Sequence, residues 1–194
     1  MLSVASTVWY DYQMNTRTRI LDAALALAAE GGVQELTQPR IARAAGVRQS
    51  HLTYYFPTIA DLLQAVARHM VDAVVAEVRA KAPGRRPAAA ADVFARIATE
   101  PRRVRVMLAL VTAADRDEAL KPGLRRLVRE LRAGIAAALA SAGVAARPDD
   151  VAFVHSAIVG SAVLHLGRSN AGARREVRVV IDRAMAAIGK EGAQ

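Results

Sequence analysis

The sequence contains no cysteine, and this absence removes several kinds of chemistry at once. Disulfides, thiolate nucleophiles and Cys-ligated zinc or iron–sulfur centres are excluded. Aromatic residues are also scarce, at 4% of the 194 residues, although 53% of the residues are hydrophobic. The apolar residues are therefore mostly alanine, valine and leucine. Because alanine and leucine are strong helix formers, the composition predicts an all-α protein.

Strand patterns and the signatures of common enzyme sites are missing as well. No stretch of any length alternates apolar and polar residues with the period of two that half-buried strands require. No His-Glu-x-x-His, Gly-x-Ser-x-Gly, Walker or dinucleotide-binding motif occurs. His155 and His165 lie ten residues apart, on different faces of one helix, and so make a poor metal pair. We therefore expect no enzyme, no catalytic residue, no metal site and no cofactor.

The first 14 residues, MLSVASTVWYDYQM, lack the basic start and the long apolar core of a signal peptide. Two interpretations stay open for them. Either Met14 is the natural start and the residues before it are an upstream extension, or they form a genuine disordered tail. The expected organisation is a disordered extension over 1–14, a first domain over 15–58 and a second domain over 59–194.

Basic residues outnumber acidic ones, and the formal net charge is +9. Such a charge favours a nucleic-acid partner. Its distribution weakens that inference, because residues 1–60 hold five arginines against four acidic residues. The excess lies over 79–105 and 121–132, where we expect arginines on solvated helix faces. Net charge alone therefore does not locate a nucleic-acid site.

Capping residues and helix breakers divide the first third of the chain into short helices. Ser, Thr and Asp favour helix starts, and glycine favours the left-handed residue that ends a helix. The predicted boundaries are a first helix from Thr16 or Thr18 to Glu30, a second from Thr37 to Gly46, a third over 49–55 and a fourth, capped by Thr58, over 59–81.

The spacing around Gly46 predicts a helix-turn-helix. Ala42 is small enough to let two helices cross closely, and Gly46 adopts the positive φ of the turn at little cost. Val47 fills the corner, and Leu52 anchors the following helix against the preceding one. Each feature is common alone, but together they are fairly specific.

The exposed face of the third helix distinguishes a DNA-reading helix from an ordinary three-helix core. A plain core would carry generic Glu and Lys there, whereas this face carries hydrogen-bonding groups and no acidic residue. Such groups contact base edges and phosphates in a major groove. Tyr55 and Phe56 fit core or hinge positions better than base contacts. The candidate DNA-contacting residues are Thr37, Gln38, Arg48, Gln49, Ser50, His51, Thr53, Tyr54, Tyr55 and Thr58.

In this region the sequence resembles the TetR family of bacterial transcriptional regulators. The detailed resemblance runs from Arg17 to Val66, about a quarter of the chain, and the remainder agrees in length and helical character. The matching residues are Ile20-Leu21, Ala23-Ala24, Gly31, Thr37, Ile41-Ala42, Ala45-Gly46-Val47, Leu52, Phe56 and Leu62-Leu63.

Three positions depart from the family pattern. Arg48 replaces a common serine, which removes an N-cap worth ~1 kcal/mol but adds a side chain that reaches phosphate or guanine. Thr53 replaces a frequent tyrosine. Ile59 replaces a frequent lysine that approaches a phosphate, so we expect the backbone N–H groups at this helix start to serve instead.

The resemblance implies a helix-turn-helix domain followed by a helical bundle for ligand binding and dimerisation. One recognition helix makes too few base contacts, at ~1–3 kcal/mol each, for genomic specificity, so two copies must read a pseudo-palindrome. In this family the last two helices pair with those of a second copy, although packing within one chain is the alternative. The candidate dimer residues are Ala152, Ser156, Gly160, Val163, Val177, Ile181 and Met185.

The resemblance also implies an effector cavity among the middle helices. Its candidate lining residues, each of which equally fits a plain core, are Phe94, Ile97, Met107, Leu110, Val111, Phe153 and His155. The segment 151–167 is uncharged, but it is short for a membrane span and contains histidine and serine.

We therefore expect a cytoplasmic homodimer that binds a double-stranded DNA operator. A small, largely apolar effector releases it, and no membrane is involved. Repression is the family default, activation stays open, and the alternative is a non-enzymatic helical adaptor.

Overall fold

The computed structural model describes residues 4–81 and 86–191, and these residues contain α-helices and 3-10 turns but no strand. The prediction of an all-α fold is confirmed. Short 3-10 helices occupy Val33–Glu35 and Glu118–Leu120. The α-helices are α1 (Val4–Gly31), α2 (Gln38–Ala45), α3 (Gln49–Tyr55), α4 (Ile59–Lys81), α5 (Pro87–Ala98), α6 (Pro101–Arg116), α7 (Lys121–Ser141), α8 (Pro148–Arg168) and α9 (Ala171–Glu191).

The helices on either side of the predicted turn have the expected bounds. α3 and α4 cover the residues that caps and breakers indicate, and α2 ends at Ala45, directly before Gly46. These boundaries depend on local chemistry, namely a glycine after α2 and a capping threonine before α4. Local sequence therefore suffices to place them.

The first helix differs from the expectation. α1 begins at Val4, whereas the sequence predicts a start at Thr16 or Thr18 after a disordered extension over 1–14. Residues 4–14 contain neither glycine nor proline, so nothing in them stops a helix from continuing. Thr16 lies buried within α1 instead of capping it. Residues 1–3 lie outside the described range.

The described residues divide into two compact units. The first combines the chain up to His69 with Arg105–Leu124, and the second combines Met70–Val104 with the chain from Arg125 onward. In the first unit α1 packs against α2, and α2 against α3. Full burial of a large apolar side chain contributes about 1.5–3 kcal/mol. The most deeply buried such side chains of this unit are Ile20, Leu21, Ile41, Leu52, Leu62 and Val66.

In the second unit α8 packs along α9, and α5 packs against both. Its most deeply buried side chains are Val71, Val93, Phe94, Leu139, Val154 and Ile181. An ion-pair cluster joins α4, α5 and the start of α6 within this unit. The Glu77 carboxylate on α4 accepts from Arg96 Nη2 on α5 at 2.9 Å and also pairs with Arg103 on α6. Because the Glu77 side chain is only 14% exposed, this cluster is shielded from solvent more than an ordinary surface pair.

The backbone of α7 comes close to α4 at Gly134. A Cβ added to Gly134 would lie 2.8 Å from Val75 Cγ2, closer than real Cβ contacts. The β-branched valine has few rotamers with which to make room. This position therefore requires glycine for the close approach of the two helices.

We expect Gly134→Ala to lower the free energy of unfolding by a net ~1 kcal/mol. Overpacking costs ~1–3 kcal/mol, against a helix-propensity gain of up to ~1 kcal/mol. The matched control is Gly123→Ala on the same helix, where the added Cβ meets the flexible side chain of Gln64. Urea denaturation of both variants measures the difference. A Gly134→Ala variant as stable as Gly123→Ala would contradict the close approach.

Candidate nucleic-acid interface

The turn between α2 and α3 is held by a left-handed glycine. Gly46 has φ 64° and ψ 36°, the conformation expected for it. Its N–H donates to Arg43 O at 3.1 Å, and the Val47 N–H donates to Ala42 O at 2.9 Å. This pair of bonds closes the last turn of α2 and sets the direction in which α3 leaves it.

An arginine from α1 fastens this turn. Arg19 Nη2 donates to Ala45 O at 2.7 Å, across 26 residues of sequence. A Cβ on Gly46 would lie 3.0 Å from the same Nη2 atom, so glycine here provides both the positive φ and the room for the guanidinium. The sequence-based prediction did not include Arg19. The only signal in the sequence was its basic side chain near the start of the family-like region 17–66.

A second arginine of α1 lies at the other end of α3. The Arg17 guanidinium carbon is 5.5 Å from the centroid of the Phe56 ring, a cation–π arrangement. Phe56 is buried, and its N–H donates to Leu52 O at 2.8 Å, which closes α3. Arginines of α1 therefore contact both the turn that precedes α3 and the residue that follows it.

The outer face of α3 presents most of the predicted DNA-contacting residues to solvent. Tyr54 is 73% exposed, and its ring meets that of Tyr55 edge-on, with centroids 5.3 Å apart. Tyr55 itself is half-buried beside Phe56. The other exposed residues of the set in and directly before α3 are Arg48, Gln49, Ser50 and His51. The arrangement is a row of polar groups on a helix whose opposite side is buried.

Thr53 is half-buried, and its hydroxyl bonds to its own helix. The Thr53 Oγ1 donates to Gln49 O at 3.2 Å and to Ser50 O at 3.1 Å. Its donor is therefore in use, which leaves the methyl group and a lone pair for any external contact.

The starts of α2 and α3 carry no side-chain cap. Thr37 and Arg48 occupy the two N-cap positions, but neither side chain bonds a helix amide. Thr37 is exposed and Gln38 half-buried. The missing cap at Arg48 is the loss that its replacement of serine predicts.

The start of α4 is closed by a capping box, which confirms Thr58 as the cap. Thr58 Oγ1 accepts from the Asp61 N–H at 3.1 Å, and Asp61 Oδ2 accepts from the Thr58 N–H at 3.1 Å and from its hydroxyl at 2.8 Å. The expectation that backbone N–H groups at this helix start bind a phosphate stays a prediction, since the capping box uses the N–H groups of Thr58 and Asp61 only. The Asp61 carboxylate already takes the Thr58 donors and adds a negative charge beside the exposed Ile59.

The predicted effector-lining residues are distributed over both units. Phe94 and Leu110 are buried, whereas Ile97, Met107 and His155 are half-buried. Val111 and Phe153 are 44% and 52% exposed, so in the single chain these two side chains lie on the surface. Among the described residues, no group of three or more His, Asp or Glu side chains is placed to hold a metal ion.

The predicted dimer residues separate into two groups. Val177, Ile181 and Met185 of α9 are buried within their own chain, because the apolar side of α9 packs on α8 and α5. The α8 residues differ, since Ala152 is half-buried and Ser156, Gly160 and Val163 are exposed.

An exposed apolar side of α8 extends this second group. Phe153 is followed on this side, at three- and four-residue spacings, by Ser156, Gly160 and then Val163 or Leu164, and all five are exposed. A Cβ added at Gly160 would meet no atom within 4 Å. Among the described helices α8 alone is long and apolar enough to cross a membrane by length and composition, a test that core helices of soluble proteins also pass.

His155, on the same helix, has a perturbed titration. Burial, and then the positive charge of Arg132, lowers the pKa of His155 from its ordinary value of 6.5. The folded chain therefore favours the neutral imidazole more than the unfolded chain does.

The sign of the resulting pH dependence follows from that direction. As the pH falls below about 6.5, the unfolded chain binds a proton at His155 more readily than the folded chain, and the free energy of unfolding decreases. We expect His155→Gln to lose less stability than the unsubstituted protein between about pH 7 and pH 5. Urea denaturation across this range measures the effect, with His51→Gln as the control. Identical slopes for His155→Gln and the unsubstituted protein would overturn it.

For the turn, we expect Arg19→Ala to lower the free energy of unfolding by about 1–2 kcal/mol, because Ala45 O loses a charged donor. The matched control is Arg43→Ala, an exposed arginine of α2 for which a change within about 0.5 kcal/mol is expected. Chemical denaturation compares the two. Equal stabilities for both variants would show that Arg19 does not fasten the turn.

The sequence matches two known family models. Residues 20–66 match the family model for bacterial regulatory proteins of the tetR family, and residues 59–187 match the tetracyclin repressor-like C-terminal domain. The HTH-type transcriptional regulator CymR of Pseudomonas putida is 28% identical over 125 residues, which cover 61% of this chain and 61% of that protein. The match thus spans about three fifths of the length of this relative.

Solved structures share the fold over nearly the whole chain. A transcriptional regulator from Rhodococcus sp. Rha1 has a TM-score of 0.73 at 22% identity, over 89% of this chain and 95% of that one. A TetR family member from Streptomyces coelicolor A3 has a TM-score of 0.68 at 26% identity, over 87% and 97%. The multidrug binding protein EbrR, complexed with ethidium, gives the same four values. With both family models matched in order along the chain, the protein belongs to the TetR family of bacterial transcriptional regulators.

Proposed function

We propose that this chain is a ligand-responsive transcriptional regulator that binds a pseudo-palindromic DNA operator as a homodimer. The observation that carries the proposal is the outer face of α3. It exposes arginine, glutamine, serine, histidine and tyrosine side chains without a single carboxylate, while Leu52 and Phe56 are buried behind it. A short helix that is anchored by buried side chains on one side and exposes hydrogen-bonding side chains on the other fits a major groove.

The exposed side chains divide into base-reading and backbone-contacting groups. Gln49 has the amide geometry that pairs with the N6 and N7 atoms of adenine, and Arg48 has the fork that pairs with guanine or a phosphate. The Thr53 methyl group suits contact with a thymine methyl, since its hydroxyl donor is used within the helix. Tyr54 and His51 add hydrogen-bonding groups at the exposed end of the row.

Phosphate contacts come chiefly from α2 in this proposal, because the Asp61 carboxylate adds a negative charge at the start of α4 and already accepts the Thr58 donors. Arg43 is exposed and forms no ion pair with another described residue, whereas Arg40 pairs with Glu35. The Thr37 hydroxyl is exposed and free of a capping bond. A domain over 15–58 would thus carry the DNA contacts, and 59–194 the effector and dimer functions.

A second copy is needed because a single α3 offers too few base contacts for a unique site. The exposed side of α8, with Phe153, Val163 and Leu164 beside the open space at Gly160, is the surface proposed for it. A shallow groove of about 210 Å³ runs along this side between α8 and α9. Two such faces related by a two-fold axis would form a four-helix contact.

A small, largely apolar molecule is the proposed effector. One structural relative, at 26% identity, is a multidrug binding protein seen with ethidium, so a bound organic molecule is compatible with this fold. The effector would change the direction of α4 and so the spacing of the two recognition helices. We propose repression released by the effector, in the cytoplasm and without enzymatic activity, which TetR-family regulators generally lack.

Operator binding is tested by selecting sites from a random DNA duplex pool with the purified full chain at low salt. We expect enrichment of a two-fold symmetric sequence. On that operator, Gln49→Ala should lower affinity about 5- to 150-fold, the equivalent of ~1–3 kcal/mol for a bidentate base contact. Arg43→Ala should weaken binding to all sequences alike and reduce its salt dependence.

The matched control is Gln64→Ala, another exposed glutamine, located on α4 away from the proposed reading face. It should leave operator affinity unchanged. If no sequence is enriched, or if Gln49→Ala and Gln64→Ala bind equally well, the DNA-reading assignment fails. The helical adaptor would then be the better interpretation.

A further inference from the structure

An open cavity of about 710 Å³, with three arginines in its wall, lies in the second unit, where α8 ends and α9 begins. Pro101, the first residue of α6, forms one edge of it. The residues that matter for its chemistry are His165, Ser169, Asn170, Arg174, Arg175 and Arg178. None of the effector-lining residues predicted from the sequence belongs to this cavity. It is therefore a different place from the apolar effector site.

Three arginines of the cavity wall lie on one stretch of α9, and no acidic side chain lines it. Arg178 is compensated, because its Nε donates to Asp182 Oδ2 at 2.8 Å and its Nη1 pairs with Asp92. Arg174 and Arg175 form no ion pair with any described residue. The wall thus carries two positive charges that no described residue of the unit compensates.

The spacing along α9 lets these charges act together. Arg174 and Arg175 lie four and three residues before Arg178, so all three fall on neighbouring positions of the helix surface. They occupy the first turns of α9, where the helix dipole is positive. Asn170 Oδ1 accepts from the Ala173 N–H at 2.8 Å and so fixes the start of this helix. The three arginines are therefore carried by a helix whose first turn is capped.

A buried histidine in the wall supplies the second observation. His165 is only 5% exposed, and its Nδ1 has no hydrogen-bond partner, the one such buried side-chain atom in the described part of the chain. A buried polar atom without a partner is unfavourable, and most buried polar atoms in proteins bond to another protein group or to an ordered water. The His165 carbonyl accepts from the Ser169 N–H at 2.7 Å, so the residue is fixed to the turn that borders the cavity.

We propose that this cavity binds a small, multiply charged oxyanion, a polycarboxylate or a phosphorylated metabolite, through Arg174 and Arg175. The planar fork of arginine matches carboxylate and phosphate oxygens in a bidentate manner. Arg178 shapes the site while its charge is held by Asp92 and Asp182. His165 offers a further hydrogen-bonding group. This site goes beyond the proposed effector cavity and does not depend on it.

The test is calorimetric titration of the full chain with citrate, and separately with inorganic phosphate, at constant ionic strength maintained with sodium chloride. We expect saturable binding of one anion per chain. The double substitution Arg174→Gln/Arg175→Gln should weaken it at least 10-fold. The matched control is Arg125→Gln/Arg129→Gln, which removes the same charge from two exposed arginines of α7. That variant should bind the anion as the unsubstituted protein does.

Ring ¹⁵N resonances of His165 provide a second readout, because they report changes at the imidazole that borders the cavity. They should move with the anion titration, and His165→Phe should abolish those signals and weaken binding several-fold. Absence of saturable binding, or equal weakening in both double variants, overturns the site. Loss of dimerisation in Arg174→Gln/Arg175→Gln, measured by sedimentation without any anion effect, would assign the arginines to a second copy instead. Because the titration contains no DNA, a negative result would not bear on operator binding.

Discussion

The left-handed turn at Gly46 is the constraint on which the proposed DNA-reading helix depends. It sets the angle between α2 and α3 with two hydrogen bonds, and Arg19 fixes it from outside. The polar face of α3 is useful only because this corner and the buried Leu52 leave the helix a single orientation. A side chain at position 46 would disturb both the backbone conformation and the space for the guanidinium. The rest of the first unit acts as a support for that corner.

The positive charge of the chain is divided between structural and available arginines. Arg96 and Arg103 bind Glu77, and Arg178 binds Asp92 and Asp182, so these arginines hold helices together. The sequence alone favours solvated surfaces for such residues, because it does not show which carboxylates lie across from them. The positive charge without an acidic partner is concentrated at a few positions of the described chain, and one of them is the pair Arg174 and Arg175. Net charge therefore says less about partners than the list of unpaired cations does.

Local chemistry explains which features could be predicted from the sequence. The turn at Gly46, the cap at Thr58 and the bounds of α3 and α4 depend on residues a few positions apart, and all four agree with the structure. Arg19 escaped prediction because its partner lies 26 residues away. The apolar side of α9 could not be assigned from the sequence. An apolar stripe shows that one side of a helix is buried, but not whether its own chain or a second copy buries it. Val177, Ile181 and Met185 are covered by their own chain.

The proposed dimer would link the folding of this protein to its abundance through the exposed side of α8. Phe153, Val163 and Leu164 are exposed apolar side chains, and a second copy that covered them would stabilise the folded chain by mass action. The thermal midpoint would then rise with protein concentration. A cell holding few copies would keep more of them as single chains with an apolar helix uncovered, open to proteases and to aggregation. The amount of working regulator would then fall more steeply than the amount synthesised.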